Sequence, residues 1–172
     1  RMLLNHTGGI SNPYPDGCCG PDYPLPSLIQ VFRGEAPATN PPLVATYLPG
    51  SEYRYCNGCY AIIQGGLEDI SGKDFGVLLN ESVLRPAKMD SSKFDNEFFL
   101  SDRSSIALPY DPAHVVYQNA PMRNPILSTG TLWTTASDLA RFNLHLTEAL
   151  SGSNDLIEQT LARELVLPSS TE

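Results

Sequence analysis

The segment "PGSEYRYCNGCYAIIQGGLEDISGKDF", residues 49–75, decides how the chain is interpreted, because it joins two chemical patterns to a helical one. Tyr55 and Asn57 form a Tyr-x-Asn triplet, which brings a phenol close to an amide. Cys56 and Cys59 form a Cys-x-x-Cys pair, the spacing of a zinc site or a thiol–disulfide redox site. Apolar residues then recur at steps of three and four up to a Ser-Gly pair, which predicts an amphipathic helix. The predicted buried stripe of this helix is Tyr60, Ile63, Leu67 and Ile70.

The composition argues against several classes of function. A formal net charge of −8 is unfavourable for binding nucleic acid or an anionic membrane, because both require basic protein surface. No run in the sequence approaches the roughly 18 apolar residues of a transmembrane helix, so no membrane span is predicted in this segment. A length of 172 residues suffices for one domain with its own core.

Prolines divide the chain into a loop-rich first part and a helical remainder. Nine of the 15 prolines precede residue 50, which predicts loops over residues 11–26 and 34–51 with a short helix over 27–33 between them. Apolar periodicity predicts three more helices after the one in the opening segment. These are a helix through Phe75, Leu78, Leu79 and Val83 that Pro86 stops, a helix with a capping box at Thr135 and Asp138 that carries Leu139, Phe142, Leu146 and Ala149, and a helix over 154–166 with Ile157, Leu161 and Leu165.

The four cysteines allow more than one interpretation. An even number in an acidic, proline-rich chain is compatible with disulfides and an extracytoplasmic location. A structural zinc site needs four Cys or His ligands in paired clusters, and the three histidines are scattered. A thioredoxin-type Cys-x-x-Cys follows a strand in a βαβ unit, a pattern that this sequence lacks. Small buried residues or one disulfide are the simplest reading of Cys18, Cys19, Cys56 and Cys59.

Four blocks of the sequence, taken in order, resemble the class C β-lactamase-like serine hydrolases and penicillin-binding proteins. "RMLLNHTGGI" resembles their "LLxHTSGL", and residues 49–75 resemble their "PGxxFxYSNxGYxLLGxxIExxSGxxF". "LLNESVLRPAKM" and "STGTLWTTASDLARF" resemble their "xxxxIFxPLGM" and "AGGLxSTAxDLARF". The resemblance implies the α/β serine β-lactamase-like, or transpeptidase-like, fold, with this chain forming mainly its helical lobe.

The resemblance also implies roles for particular residues. Such enzymes combine a Ser-x-x-Lys nucleophile, a Tyr-x-Asn element and a Lys/His-Thr-Gly strand, so Tyr55 and Asn57 are the expected catalytic residues here. A free tyrosine phenol, with a pKa of about 10, is a poor base at neutral pH, but a nearby lysine ammonium favours the phenolate. The phenolate would then exchange a proton with the serine or the leaving group, and Asn57 would orient the lysine or bind a substrate amide. Gly130 and Thr131 match the Gly-Gly pair that lines the family's pocket and are predicted to bind substrate.

The chain departs from the family pattern at several points. It contains no Ser-x-x-Lys sequence, Cys59 replaces a glycine, and Thr131 replaces another. Its triplet His6-Thr7-Gly8 follows "RMLLN", where a turn after the end of a helix is expected instead of the catalytic strand, and His6 is predicted to be a structural turn residue. We therefore expect residues 1–172 to be the central part of a single β-lactamase-like domain, with Ser-x-x-Lys before Arg1 and Lys/His-Thr-Gly after residue 172.

The predicted function is part of a serine hydrolase that transfers an acyl group through an acyl-serine intermediate. The expected substrate is a β-lactam, a D-amino-acid peptide or an ester, and the other expected partner is the remainder of the same polypeptide. No cofactor and no metal are predicted. Two alternatives stay open: a catalytically inactive homologue that acts as a binding or scaffold module, and a cysteine-based metal or redox module.

Overall fold

The computed structural model describes residues 1–12, 23–96, 105–108, 110–116 and 123–167. The chain divides into two compact units. The first unit consists of Arg1–Gly66 and Asp95–Thr131, and the second of Leu67–Phe94 and Leu132–Glu172. Residues 49–60, which carry the candidate chemistry, lie entirely within the first unit.

The five helices predicted between residues 27 and 166 are all present. None of the helices in the described part of the chain is long and apolar enough to cross a membrane. In chain order the elements are helix α1, Leu28–Arg33; α2, Asn57–Ser71; α3, Phe75–Leu79, continued by a π-helical turn, Asn80–Leu84; strand β1, Lys93–Phe94; a 3-10 turn, Leu127–Thr129; β2, Leu132–Trp133; α4, Ala136–Ser151; and α5, Gln159–Val166.

Helix α1 is short and is fixed at both ends by local sequence. The Ser27 hydroxyl accepts a hydrogen bond from the Gln30 amide, and the Gln30 side chain accepts one from the Ser27 amide, which forms a capping box. Gly34 ends the helix in the left-handed conformation. Val31 of α1 then packs in the first core cluster, whose other buried members are Ala38, Ala61 and Ile126.

The first residues form a hydrogen-bonded turn that runs into a left-handed bend. The amides of Leu4 and Asn5 donate to the Arg1 carbonyl, and His6 has a φ angle of 62°. Gly9 also has a positive φ, of 74°, and a Cβ at this position would clash with the Tyr47 carbonyl oxygen. The predicted turn before and at the Gly-Gly pair is confirmed, but the helix end expected at "RMLLN" is wrong, because these residues form only a hydrogen-bonded turn.

The predicted buried stripe on α2 is wrong at its C-terminal end. Leu67 and Ile70 are 37% and 87% exposed. Small residues instead bring α2 close to α1, since a Cβ on Gly65 would lie 3.2 Å from Leu28 Cδ2 and 3.3 Å from Phe32 Cε2. Close helix packing selects for small side chains, a property that apolar periodicity does not detect. The buried residues of α2 are Gly58, Cys59, Ala61 and Gln64.

In the second unit, α4 and α5 also meet through small side chains. Ala149 and Ala162 are fully buried between them. The predicted buried stripe on α4 is correct toward the C-terminal end of the helix but wrong at Leu139, which is exposed. On α5 the predicted buried residues Leu161 and Leu165 are both exposed, so the prediction is wrong for this helix. The cluster is completed by Ile157, Phe142, Leu146, Leu150 and Leu156.

The final helix starts later than predicted, because a side chain stabilises a turn before it. Residues 154–166 were expected to be helical, but α5 begins at Gln159. The Asn154 carboxamide oxygen accepts hydrogen bonds from the amides of Leu156 and Ile157. Asparagine commonly replaces backbone partners in this way, which favours a turn over a helix.

Asp138 joins the start of α4 to the chain before β1. The Thr135 hydroxyl accepts a hydrogen bond from the Asp138 amide, so half of the predicted capping box is present. The buried Asp138 carboxylate instead accepts hydrogen bonds from the Ser91 amide (2.9 Å) and the Ser92 hydroxyl (2.6 Å), and pairs with Arg141. Strands β1 and β2 pair antiparallel beside it, with Lys93 opposite Trp133 and Phe94 opposite Leu132.

These contacts make the stability of the chain dependent on pH through Asp138. The hydrogen bond from Ser92, with smaller contributions from the Ser91 amide and Arg141, lowers the pKa of Asp138 despite the opposing effect of burial. A carboxylate whose pKa is lowered by folding stabilises the folded state above its unfolded pKa of about 3.9. That contribution is lost as the pH falls through the folded pKa.

Asp138→Asn is therefore expected to lower the thermal unfolding midpoint by several degrees at neutral pH. The difference from the unsubstituted chain should shrink on acidification below pH ~4, since both chains then carry a neutral side chain at this position. Circular dichroism melts across this pH range measure the effect, with Asp69→Asn, at an exposed position of α2, as the control. A difference that widens toward low pH would contradict the assignment.

Candidate active site

The structure brings Tyr55 and Asn57 into direct contact. The Tyr55 hydroxyl donates a hydrogen bond to the Asn57 Oδ1 atom at 3.0 Å. Tyr55 is 56% exposed, so its phenol is accessible from solvent, and Asn57 is the half-buried first residue of α2. The geometry allows a proton-exchanging group and an amide to act on the same ligand, and the catalytic role of both residues stays a prediction.

A distant side chain holds the start of α2. The Asn57 amide donates to the Asn12 Oδ1 atom at 2.6 Å, across 45 residues of sequence. The first amides of a helix lack partners within the helix, and an asparagine oxygen is among the best substitutes. Asn12 was not predicted as a site residue, because a capping residue normally lies next to its helix in sequence.

His6 lies beside the candidate phenol. Its imidazole ring is 4.7 Å from the Tyr55 ring and 5.2 Å from the Tyr60 ring, measured between centroids, and Tyr53 contacts it edge-on at 5.8 Å. Its Nδ1 atom accepts a hydrogen bond from the Cys56 amide at 3.1 Å. The prediction of a turn residue at His6 is confirmed by its backbone, but the ring also belongs to the surroundings of Tyr55.

Cys56 and Cys59 form a disulfide, which confirms that reading of this pair. Both residues are fully buried, with Cα atoms 5.3 Å apart, and the Cys59 amide donates to the Cys56 sulfur at 2.8 Å. Gly58 between them passes close to other backbone, since a Cβ there would lie 2.7 Å from the Ser11 carbonyl oxygen. Within the described ranges, no group of three or more His, Cys, Asp or Glu side chains is placed to hold a metal ion. Cys18 and Cys19 lie outside the described residues.

The two residues predicted to line the pocket differ in accessibility. Gly130 is exposed, and a Cβ there would meet no atom within 4 Å. Thr131 is buried, and its hydroxyl donates to the Leu127 carbonyl at 3.0 Å. Substrate binding by this pair stays a prediction, with Gly130 as the member that a ligand can reach directly.

Helix α2 also positions the segment that contains Gly130. The Ser128 amide donates to the Gln64 Oε1 atom at 3.1 Å, and the Ser128 hydroxyl donates to the Tyr60 carbonyl at 3.0 Å. Gln64 is buried, which is unusual for this residue type unless its polar atoms are hydrogen-bonded. One helix therefore carries Asn57 at its start and anchors the neighbourhood of Gly130 along its side.

Comparison with protein families identifies the chain over almost its whole length. The family model described as "Beta-lactamase" matches residues 1–171. The chain belongs to the β-lactamase family. A comparison with curated protein sequences gives no significant match.

Several solved structures have the same fold as this β-lactamase-family chain. A penicillin-binding protein from Bacillus halodurans superposes with a TM-score of 0.72 at 22% identity, over 98% of this chain and 50% of that one. D-amino acid amidase from Ochrobactrum anthropi SV3, complexed with D-phenylalanine, gives 0.68 at 16% identity, over 95% and 46%. The octameric penicillin-binding protein homologue from Pyrococcus abyssi gives 0.65 at 22%, over 96% and 37%.

These likenesses establish the fold expected from the four sequence blocks. The chain has the β-lactamase or transpeptidase-like fold, and its described part is mostly helical with one small sheet, as expected for the helical lobe. The chain spans about half the length of the first two structures and less of the third. Identities below 25% establish the fold alone.

The Cys56–Cys59 disulfide is expected to stabilise the unreduced chain modestly. For a loop this short, closed across a sequence separation of 3, the chain-entropy relation gives about 2 kcal/mol. The double variant Cys56→Ser with Cys59→Ala should lose about that much free energy of unfolding in urea titrations.

Reductant supplies the control for this experiment. The double variant retains Cys18 and Cys19, so any stability that it loses when reductant is added is due to those two residues. The unsubstituted chain and the double variant should therefore have the same free energy of unfolding when both are measured in reductant. Equal stability of the oxidised chain and the variant would contradict a stabilising disulfide at this position.

Proposed function

We propose that this chain supplies the Tyr-x-Asn element of a serine hydrolase that transfers acyl groups through an acyl-serine intermediate. The observation that supports the proposal most directly is the accessible Tyr55 phenol, hydrogen-bonded to Asn57 at the start of α2. Membership of the β-lactamase family, across residues 1–171, gives this pair a chemical context.

In the proposed reaction, the Tyr55 phenolate takes the proton from the serine hydroxyl as the serine oxygen attacks the substrate carbonyl. The C–N or C–O bond to the leaving group then breaks, and the same proton passes from Tyr55 to the leaving group. In the second half of the cycle, Tyr55 takes a proton from water as the water oxygen attacks the acyl-serine carbonyl. The bond to the serine oxygen then breaks, and Tyr55 returns the proton to that oxygen, so atoms and protons balance over the cycle. In this structure the Tyr55 hydroxyl donates a hydrogen bond to Asn57, and a neighbouring cation would favour the phenolate.

The 172 residues contain no Ser-x-x-Lys sequence. We therefore propose that the serine and the lysine ammonium come from the remainder of the polypeptide. The lysine ammonium would stabilise the Tyr55 phenolate electrostatically. Asn57 would orient that lysine or accept a hydrogen bond from an amide of the substrate. On this chain the proposed roles fall to Tyr55 and Asn57, which are hydrogen-bonded to each other.

The proposed substrates are carboxylic acid derivatives: a β-lactam, a D-amino-acid peptide or an ester. Two kinds of structural relative support an amide, namely the penicillin-binding proteins and the D-amino acid amidase. A D-stereospecific amidohydrolase from Streptomyces has the same fold at a TM-score of 0.64 and 17% identity, over 100% of this chain and 52% of that one. An extracytoplasmic location is also proposed, supported by the Cys56–Cys59 disulfide, because disulfides persist in oxidising compartments.

A second candidate function is an inactive homologue that acts as a binding or scaffold module. Absence of Ser-x-x-Lys from the full polypeptide would favour it, whereas the Tyr55–Asn57 contact favours the enzyme. The two candidate functions make different predictions about the full polypeptide. The enzyme requires a Ser-x-x-Lys sequence upstream of Arg1, and the scaffold does not.

The 172-residue chain by itself is expected to form no covalent adduct with a fluorophosphonate probe or a β-lactam, since it lacks the activated serine. Intact-mass spectrometry after incubation measures the adduct, with an active penicillin-binding protein as the positive control. Stoichiometric labelling of the chain would show that a nucleophile lies within these residues and would overturn the proposed division of roles.

Tyr55→Phe in the full polypeptide is expected to lower kcat by about 10²- to 10⁴-fold, because it removes the proton-transfer group and leaves the ring. Tyr53→Phe is the matched control: it removes an exposed phenol two residues away and should retain activity. Steady-state hydrolysis of a chromogenic β-lactam, a D-amino-acid anilide and an ester compares the variants. Equal activity of the Tyr55 variant and the control would exclude Tyr55 as the proton-transfer group.

A further inference from the structure

We propose that His6 is a positioning residue for Tyr55, acting through both its backbone and its ring. The value of this role to catalysis rests on the proposed function, but the positioning itself is a property of this chain and is testable without turnover. His6 lies 49 positions before Tyr55 in the sequence, so the contact is made only in the folded state.

The backbone part of the role concerns the amides of the two residues that flank Tyr55, Arg54 and Cys56. The Arg54 amide donates to the His6 carbonyl at 2.9 Å, and the Cys56 amide donates to the His6 Nδ1 atom at 3.1 Å. One residue therefore accepts the N–H groups immediately before and after the candidate catalytic residue. Tyr55 precedes α2, and these bonds constrain the backbone at both of its neighbours.

The ring part of the role concerns the exposed phenol. The centroids of the His6 and Tyr55 rings are 4.7 Å apart, with the planes inclined by 40°, which is within the range of favourable aromatic contacts. The His6 ring also contacts Tyr60, whose hydroxyl donates to the Leu4 carbonyl at 2.8 Å. The imidazole is thus supported by an anchored ring and presents a contact surface to Tyr55, whose hydroxyl contacts Asn57.

The hydrogen bond from the Cys56 amide assigns the tautomer of His6. A nitrogen that accepts a hydrogen bond carries no proton, so this contact selects the tautomer with the proton on Nε2. An imidazolium, or the Nδ1–H tautomer, would place two donors against each other. This is a spectroscopic consequence that a histidine acting only as a turn residue would not produce.

The φ angle of 62° at His6 determines which substitutions are informative. Asparagine and glycine both tolerate a left-handed backbone, so neither adds strain. Asparagine places its Oδ1 atom where histidine has Nδ1, since each is bonded to Cγ, whereas glycine offers no acceptor. His6→Asn keeps the acceptor and loses the ring; His6→Gly loses both.

Nuclear magnetic resonance of the 172-residue chain tests the proposal. In the unsubstituted chain, long-range ¹H–¹⁵N correlations should show the Nε2–H tautomer of His6, and the Tyr55 ring protons should be shifted by the neighbouring imidazole. His6→Asn should return the Tyr55 ring shifts toward random-coil values while the Cys56 amide keeps its protection from exchange. His6→Gly should also raise the exchange rate of the Cys56 amide, by about tenfold, the effect of losing one hydrogen bond.

Several outcomes would overturn the proposal. An Nδ1–H tautomer in the unsubstituted chain would do so even if the glycine variant failed to fold. Unchanged chemical shifts of the Tyr55 ring in His6→Asn would contradict the proposed ring contact. An unchanged exchange rate of the Cys56 amide in a folded His6→Gly variant would contradict the proposed backbone role. Amide exchange at Ala61, inside α2, verifies that each variant remains folded.

Failure of this inference and failure of the proposed function give different results. If Tyr55→Phe abolishes turnover of the full polypeptide but the His6 variants leave Tyr55 unchanged, the function stands without the positioning role. If the His6 variants release Tyr55 but Tyr55→Phe is fully active, the positioning stands and the catalytic role fails. When both hold, His6→Asn in the full polypeptide should retain more activity than His6→Gly, with the loss in kcat rather than KM.

Discussion

Hydrogen bonds between residues 6–12 and residues 44–57 are the constraint on which the candidate site depends. Thr7 and Gly9 accept from the Gly50 and Thr46 amides at 2.7 and 2.8 Å, and the His6 and Asn12 contacts continue the series to the start of α2. A proline-rich loop lacks the regular ladder of a sheet or a helix, so its amides need partners elsewhere in the chain. The first twelve residues supply those partners, and the position of the Tyr-x-Asn element follows from them.

The disulfide adds a covalent constraint to the same region. Cys56 lies between Tyr55 and Asn57, and its bond to Cys59 ties this triplet to the first turn of α2. In the family pattern that the sequence resembles, these two positions carry serine and glycine, so the bridge is a feature of this chain rather than a requirement of the fold. Tyr55 is thus constrained on its N-terminal side by the bond from Arg54 to His6, and on its C-terminal side by the cysteine pair.

The same helix links the two predicted parts of the site. Asn57 begins α2, and Tyr60 and Gln64 farther along it hold Ser128, two residues before Gly130. Because the chain spans about half of the first relatives' length, the serine and lysine of the proposed reaction belong to the proposal rather than to the observed geometry.

The amino-acid sequence by itself determined the positions of the helices and the family. Caps and stops such as Ser27, Thr135 and Pro86 act on residues within a few positions, and the four blocks needed only their order along the chain. Tertiary structure decided which helix faces are buried, as the exposed Ile70 shows, because burial depends on the surface that a helix packs against. It also decided the surroundings of Tyr55. The contact that joins His6 to Cys56 spans 50 residues, and no local pattern encodes a partner at that distance.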